Sequence, residues 1–273
     1  PFPVMTPPAA TDTATRRNFI KGAAVAATGF TIIPRHVLGG PGFVPPSEKV
    51  NIALVGAGGM GMSNLKQLFA LDDVQVISVV DPAADYPSYP GGANRHGRLP
   101  VKAIIEKQYA EKTPHFTCRE HQDYRVMLEN DKDVDAVLCA TPDHLHAVIS
   151  AATMRSGRHI YCEKPLTHNI SESRKIAAIA AETGVATQMG NQGTAQDGIR
   201  DTIELLQSGA IGPVTTIHTW VPASRYNTGL TGLPTEKVAG PGDLDWDLWL
   251  GPREARDFHG FYHPFTWRDF WDY

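Results

Sequence analysis

The sequence predicts an α/β protein: a doubly wound parallel sheet first, then the start of a second α/β domain. Three observations carry that reading. A nearly continuous apolar, β-branched run, Lys49-Val50-Asn51-Ile52-Ala53-Leu54-Val55, leads straight into Gly56-Ala57-Gly58-Gly59-Met60-Gly61. A segment with helical spacing follows (Leu65, Leu68, Phe69), and then a second apolar strand ending in Asp81. Later, the apolar run His159-Ile160-Tyr161-Cys162 ends in Glu163-Lys164-Pro165. Continuous apolar strands belong to sheets covered on both faces. In open parallel sheets, ligands sit outside the carboxyl ends of the strands, so the glycine motif and Lys164 are expected on one edge.

The first strand–turn–helix is the most specific part. Gly56 permits a tight turn, Gly58 lets the backbone approach a pyrophosphate, and Gly61 lets helix and strand pack closely. Gly59 and Met60 open a helix whose N-terminus attracts phosphate charge. Asp81 comes about 20 residues after the motif, where an acid accepts hydrogen bonds from the adenosine ribose hydroxyls. A lone glycine motif is weak evidence, but strand, motif, helix, strand and acid occur here in the required order. The expected cofactor is NAD. An acid at position 81 disfavours a 2′-phosphate, with Arg95 or Arg98 in the next insert able to admit NADP.

The remaining elements repeat the pattern. Residues 83–100, rich in Pro, Gly and Tyr, read as a long loop at the ligand edge. A helix is expected over 101–112, a short strand over 116–118, a helix over 123–130 and a strand over 135–140. Thr141-Pro142-Asp143-His144-Leu145-His146 opens another helix, running to about Ser156, with Gly157 as its C-terminal cap. After Glu163-Lys164-Pro165, Asn169 and Glu172 form a capping box for a helix that ends near Gly184. The sixth strand, 185–189, leads into Gly190-Asn191-Gln192. The expected division is 1–46 as signal and linker, 47–190 as the dinucleotide-binding domain, and 191–273 as a partial substrate and oligomerisation domain.

The chain has 273 residues and a formal net charge of −4. No long basic run points to a nucleic-acid partner. The three cysteines, Cys118, Cys139 and Cys162, are scattered through apolar runs. They read as reduced, buried, small apolar residues rather than a disulfide framework or a metal site.

The N-terminal segment reads as an export signal. Thr15-Arg16-Arg17-Asn18-Phe19-Ile20-Lys21 has a twin-arginine pattern, followed by a weakly hydrophobic run from Gly22 to Ile33. That run falls short of the roughly 20 residues a membrane span needs. A periplasmic or otherwise extracytoplasmic location is expected, with no stable span once the signal is removed. This route carries folded proteins, so a dinucleotide enzyme using it is expected to hold its cofactor tightly. The chain begins at Pro1, ahead of Met5, and ends at Tyr273 within an aromatic segment. It reads as a fragment lacking C-terminal sequence.

Lys164 is the residue expected to move protons. Beside a bound nicotinamide it would exchange a proton with a substrate hydroxyl or carbonyl, and partial burial would favour its neutral form. The bland alternative is a surface lysine paired with Glu163. Glu163 could instead orient Lys164, and a cis bond before Pro165 would re-aim it. His144 and His146, two residues apart, do not share a helix face and make a weak metal pair. Contact with the cofactor pocket, shared with Thr141 and Pro142, or a capping role suits them better. Asn191, Gln192 and Arg200 follow the sixth strand and could line a cleft. Trp246, Trp249, Trp267 and Trp271, with Tyr262 and Phe265, could stack on sugar faces, although core packing or a subunit interface accounts for them more readily.

Taken together, these motifs resemble the Gfo/Idh/MocA oxidoreductases, the glucose–fructose oxidoreductase and inositol dehydrogenase relatives. The resemblance runs from Lys49 to Tyr273 and is carried by the glycine motif, Thr141 to His146, Glu163-Lys164-Pro165 and Gly190-Asn191-Gln192. It implies an N-terminal Rossmann domain and a C-terminal domain with a large, mostly antiparallel open sheet, which commonly serves as oligomer face and substrate wall. It implies a catalytic role for Lys164, a carbohydrate or polyol substrate, and a homo-oligomer at full length. The family's later Asp and His on one helix have no match before Tyr273. Three activities compete: a dehydrogenase, a glycosidase acting by transient oxidation and elimination, and a non-catalytic binding protein.

Overall fold

The computed structural model describes residues 44–88, 92–220 and 229–273. The twin-arginine motif and its apolar run lie outside the described residues. The chain divides into two units, Pro1–Pro46 and Ser47–Tyr273, and the second holds the sheet and its helices.

The elements alternate as the periodicity requires. β1 (Val50–Val55), α1 (Gly59–Leu68) and β2 (Val74–Val80) come first. A small antiparallel hairpin, β3 (Tyr86–Pro87) with β4 (Arg95–His96), interrupts the series. Then follow α2 (Arg98–Ala110), β5 (Arg119–His121), α3 (Tyr124–Asn130), β6 (Ala136–Cys139), α4 (Asp143–Arg155), β7 (His159–Glu163), α5 (Ile170–Thr183) and β8 (Thr187–Gly190). Six strands form one sheet in the order β5-β2-β1-β6-β7-β8. Every pairing in it is parallel. The order reverses between β1 and β6, the crevice where doubly wound sheets bind ligands.

Alternate residues of β1 supply the two faces, because successive strand side chains point opposite ways. Ile52 and Leu54 pack with Leu65 of α1 and with Val101 and Ile105 of α2. Ala53 and Val55 pack with Met127 of α3, Ile149 and Met154 of α4, and Ile176 and Ile179 of α5. Cys118, Cys139 and Cys162 are free and buried.

Local signals fix the helix ends. Asn169 accepts from the Glu172 N–H while the Glu172 side chain accepts from the Asn169 N–H, so the capping box is complete. Gly184 closes α5 in the left-handed conformation. The strand expected at 116–118 begins instead at Arg119. The Cys118 N–H is taken by Glu106 Oε1 at 3.1 Å, and pairing with β2 starts at Ser78 opposite Arg119.

The C-terminal part differs from the antiparallel sheet that the resemblance implies. Among the described residues no strand follows Gly190; α6 (Asp197–Gln207), α7 (Trp246–Leu250) and an aromatic cluster occupy this part. Residues 213–220 are irregular, with Ile217 and Trp220 exposed. A strand needs a neighbour for its N–H and C=O groups, and none lies beside this segment among the described residues.

Candidate active site

The glycine motif forms the floor of the site. Gly56 has φ +93° and meets the end of β6 so closely that a Cβ would lie 2.6 Å from the Ala140 carbonyl carbon. A Cβ on Gly61 would lie 2.0 Å from the Gly56 oxygen, so only glycine lets α1 start directly above the turn. Gly58 precedes α1 with no side-chain cap. The first N–H groups of such a helix have no intrahelical partners and favour an anion.

Asp81 is buried, and both its oxygens are engaged by the protein. Oδ2 accepts the Ala57 N–H and Oδ1 accepts the Ala83 N–H, each at 2.9 Å. Burial pushes its carboxyl up to about 6 against the opposing pull of these N–H groups, of Arg98 and of the Tyr86 hydroxyl. The acid expected on the ribose therefore also ties the glycine turn to the end of β2. A ribose hydroxyl would have to share oxygens already in use. Arg98 pairs with Glu120 at 2.7 Å and Arg95 with Asp85 at 2.7 Å, so neither basic residue of the insert is unpaired.

The second wall comes from the carboxyl ends of β6 and β7. Thr141, Pro142, Asp143, His146, Glu163 and Lys164 line the same cavity, of about 570 Å³, as Gly56, Gly58, Gly59 and Met60. That volume suits a small-molecule or cofactor site. Gly61 lies beneath the cavity rather than on its lining. Lys164 is exposed, so this chain alone does not supply the burial expected around it. The Lys164–Pro165 bond is cis, and Pro165 faces away from the main cavity.

Glu163 does not pair with Lys164. It is 3% exposed, and its Oε1 accepts from Asn64 Nδ2 at 2.7 Å and Gln192 Nε2 at 2.6 Å. Its Oε2 is fully buried without a protein partner, an orphaned acceptor just behind the cavity wall. With the uncapped helix start, this orphaned oxygen fits a dinucleotide. Gln192 thus acts behind the wall, and neither it nor Asn191 is on the cavity lining. Arg200 is exposed on α6, 3.9 Å from Asp197, and lies outside the cavity.

The two histidines have separate roles. His144 packs against Trp249 and Tyr273, its Nε2 2.8 Å from the Trp249 carbonyl, and burial pulls its pKa down to about 4. His146 Nδ1 lies 2.6 Å from the Pro165 carbonyl and Nε2 2.9 Å from the Thr141 carbonyl.

Distant residues complete the cavity. Trp249, His263, Phe265, Trp267 and Arg268 form the far wall. Trp249 and Trp267 also belong to a packed cluster with Tyr262, Phe270 and Tyr273, whereas Trp271 is 96% exposed. Core packing therefore accounts for most of the tryptophans, with one edge of the cluster facing the cavity. Tyr86 carries no motif of its own in the sequence. Its hydroxyl bonds Asp81 and lies 2.9 Å from where a Gly58 Cβ would be, and its ring meets His263 at 4.6 Å. Its position in a Pro/Gly/Tyr-rich insert at the ligand edge was the available signal.

Residues 93–191 match the family model of the Gfo/Idh/MocA oxidoreductases, NAD-binding Rossmann fold. The strand order and the glycine turn agree with that match: this chain carries an NAD-binding Rossmann domain. It is 27% identical over 185 residues to an alpha-N-acetylgalactosaminidase of Shewanella oneidensis, covering 62% of this chain and 37% of the relative. It is 25% identical over 207 residues to a levoglucosan dehydrogenase of Pseudarthrobacter phenanthrenivorans, covering 72% of this chain and 48% of the relative. Among solved structures, it aligns with the WlbA dehydrogenase of Bordetella pertussis in complex with NADH and UDP-GlcNAcA at 18% identity. That alignment has a TM-score of 0.48 and covers 59% of this chain and 40% of the other. The chain thus spans less than half the length of these relatives.

Proposed function

We propose that this chain is part of a Gfo/Idh/MocA oxidoreductase that moves a hydride to or from a hydroxyl carbon of a sugar, polyol or glycoside. The observation that carries the reading is the placement of Lys164. It stands at the carboxyl end of β7, on the lining of the cavity whose floor is the glycine turn. Bound NAD supplies the hydride acceptor. The chain's residues supply the rest. The α1 N-terminus and glycine turn hold the pyrophosphate. Glu163 braces the wall beside Lys164 through Asn64 and Gln192. Lys164 Nζ takes the substrate hydroxyl proton as the carbinol carbon becomes a carbonyl, and returns it in the reverse direction. Phe265, exposed on the far wall, offers a face on which a sugar ring can pack.

A second reading uses the same residues, and the glycosidase among the relatives supports it. Oxidation of a ring hydroxyl acidifies the neighbouring C–H. Elimination then breaks the glycosidic bond, and the hydride comes back after water has added. One assay separates the two. The NAD-loaded protein is incubated with sugars, polyols and aryl glycosides, following both 340 nm absorbance and release of the aglycone. Net reduced nicotinamide matching substrate consumed supports a dehydrogenase. Aglycone release without net reduction supports the second reading. Neither signal with any of them would defeat both and favour a non-catalytic binding protein.

The same proposal includes export through the twin-arginine route with the cofactor already bound, and assembly as a homo-oligomer at full length. Arg16-Arg17 and the apolar run after them support the first part. The second rests on the family resemblance alone.

A further inference from the structure

Directly behind Lys164 lies a buried cluster that hydride transfer does not itself use. Cys139 ends β6, and Cys162 is its register partner on β7. His146 stands on the first turns of α4, and ligand-type atoms of the three lie within 4.8 Å of one another. All three are almost fully shielded from solvent.

The two partners of His146 are its most informative feature. Both are main-chain carbonyl oxygens, of Pro165 at 2.6 Å and Thr141 at 2.9 Å. A carbonyl only accepts, so this arrangement asks both ring nitrogens to donate, the state of the protonated imidazole. A charge at that depth requires a counter-charge. Cys139 is the group placed to provide it. The Cys162 thiol hydrogen-bonds Cys139 and, aided by the His146 ring, pulls its pKa down despite burial. Cys162 is pushed up by the same contact and stays a thiol. Thr141 Oγ1, at 3.5 Å, is a further neighbour of the Cys139 sulfur.

The other titratable groups facing this cluster are Tyr124, Asp143, His144 and Glu163; Tyr124, on α3, is pushed up mainly by burial, with a smaller contribution from Cys139. Asp143, on the same helix, feels His146 and Lys164 but pairs with Arg268 at 3.6 Å. His144 bonds the Trp249 carbonyl, and Glu163 bonds Asn64 and Gln192. Neither is a direct partner of the Cys139 sulfur.

We propose that Cys139 and His146 form a buried thiolate–imidazolium pair that clamps the loops after β6 and β7, making His146 a positioning residue for Lys164. The clamp joins the Thr141 carbonyl to the Pro165 carbonyl, one residue beyond Lys164. Its significance for proton transfer rests on the oxidoreductase reading. The pair itself does not, and it is tested without dinucleotide or substrate.

The test is ultraviolet titration of the whole chain at 240 nm from pH 5 to 8.5, with ring nitrogen NMR of His146 at pH 7. The expected result is one thiolate appearing with a midpoint well below the ordinary 9.0, as its partners require. That signal is lost in Cys139→Ala and His146→Gln and unchanged in Cys118→Ala. Both His146 nitrogens carry protons in the parent, and one proton is lost in Cys139→Ala, which keeps the test decisive should His146→Gln fail to fold. For positioning, Lys164 is modified with an amine-reactive sulfonate and quantified by peptide mass. Its rate, divided by that of a free lysine side chain at the same pH, is expected to change at least threefold across the thiolate titration in the parent and to lose that inflection in Cys139→Ala. No thiolate below pH 8, a thiolate surviving His146→Gln, or a stoichiometric metal ion in the cluster would overturn the pair. An identical Lys164 profile in Cys139→Ala would overturn the positioning role.

Discussion

Asp81 has a structural role that its spacing from the glycine motif does not reveal. It lies at the end of β2 with its carboxylate turned into the glycine turn, and burial raises it from the ordinary 3.8 to about 6. The sign of its linkage follows. Between roughly pH 4 and 6 the folded state holds the proton more tightly than the unfolded chain, so stability falls as pH rises through that window. Asp81→Asn should flatten this part of a urea-midpoint profile. An unchanged slope would show that the carboxylate is not desolvated. Cys139 acts in the opposite sense: its contribution is full above the ordinary value of 9.0 and is lost as pH falls below it through the lowered folded-state value. A negative charge behind the glycine turn should also disfavour a 2′-phosphate. NAD is therefore expected to bind more tightly than NADP in a calorimetric titration; the reverse order would refute that role. The acid's place after β2 was legible in sequence, but its commitment to the Ala57 and Ala83 N–H groups was not. Spacing gives a residue's place along the chain and not the direction of its side chain.

At the level of elements, the glycine turn carries the tightest constraint. A Cβ at Gly61 would sit 2.0 Å from the Gly56 oxygen, an overlap that neither backbone segment can absorb cheaply. Gly61→Ala is expected to destabilise the fold by about 1–3 kcal/mol, as overpacking does, and to weaken dinucleotide binding as well. Urea denaturation and a binding titration check the two effects. Removing the α5 cap with Asn169→Ala should cost about 1 kcal/mol and leave binding intact. Elements with short-range signals were legible: the β1–turn–α1–β2 series, the capping box at Asn169 and Glu172, and the strand before Lys164. The start of β5 was not, because Glu106 takes the Cys118 N–H from a preceding helix. Tyr86 and the aromatic far wall were also out of reach, since Trp249 and His263 come to the site from far along the chain.

At the scale of the whole molecule, the proposed export route would tie cofactor retention to the chemistry. Replacing Arg16 and Arg17 by Lys should leave the protein in the cytoplasm, as cell fractionation would show; normal export would defeat that link. The dinucleotide-binding half of the site is largely complete within the described residues: an uncapped helix start, an orphaned Glu163 oxygen and a cavity that joins them to Lys164. The central claim is that Lys164 moves the substrate proton beside that bound cofactor. Its most direct test compares Lys164→Ala with the parent for turnover of a responsive sugar or glycoside and for NAD affinity. The account predicts a fall in kcat of about 10²–10⁴-fold, the range for losing a general acid–base group, with the NAD Kd essentially unchanged. Turnover equal to the parent's would contradict it.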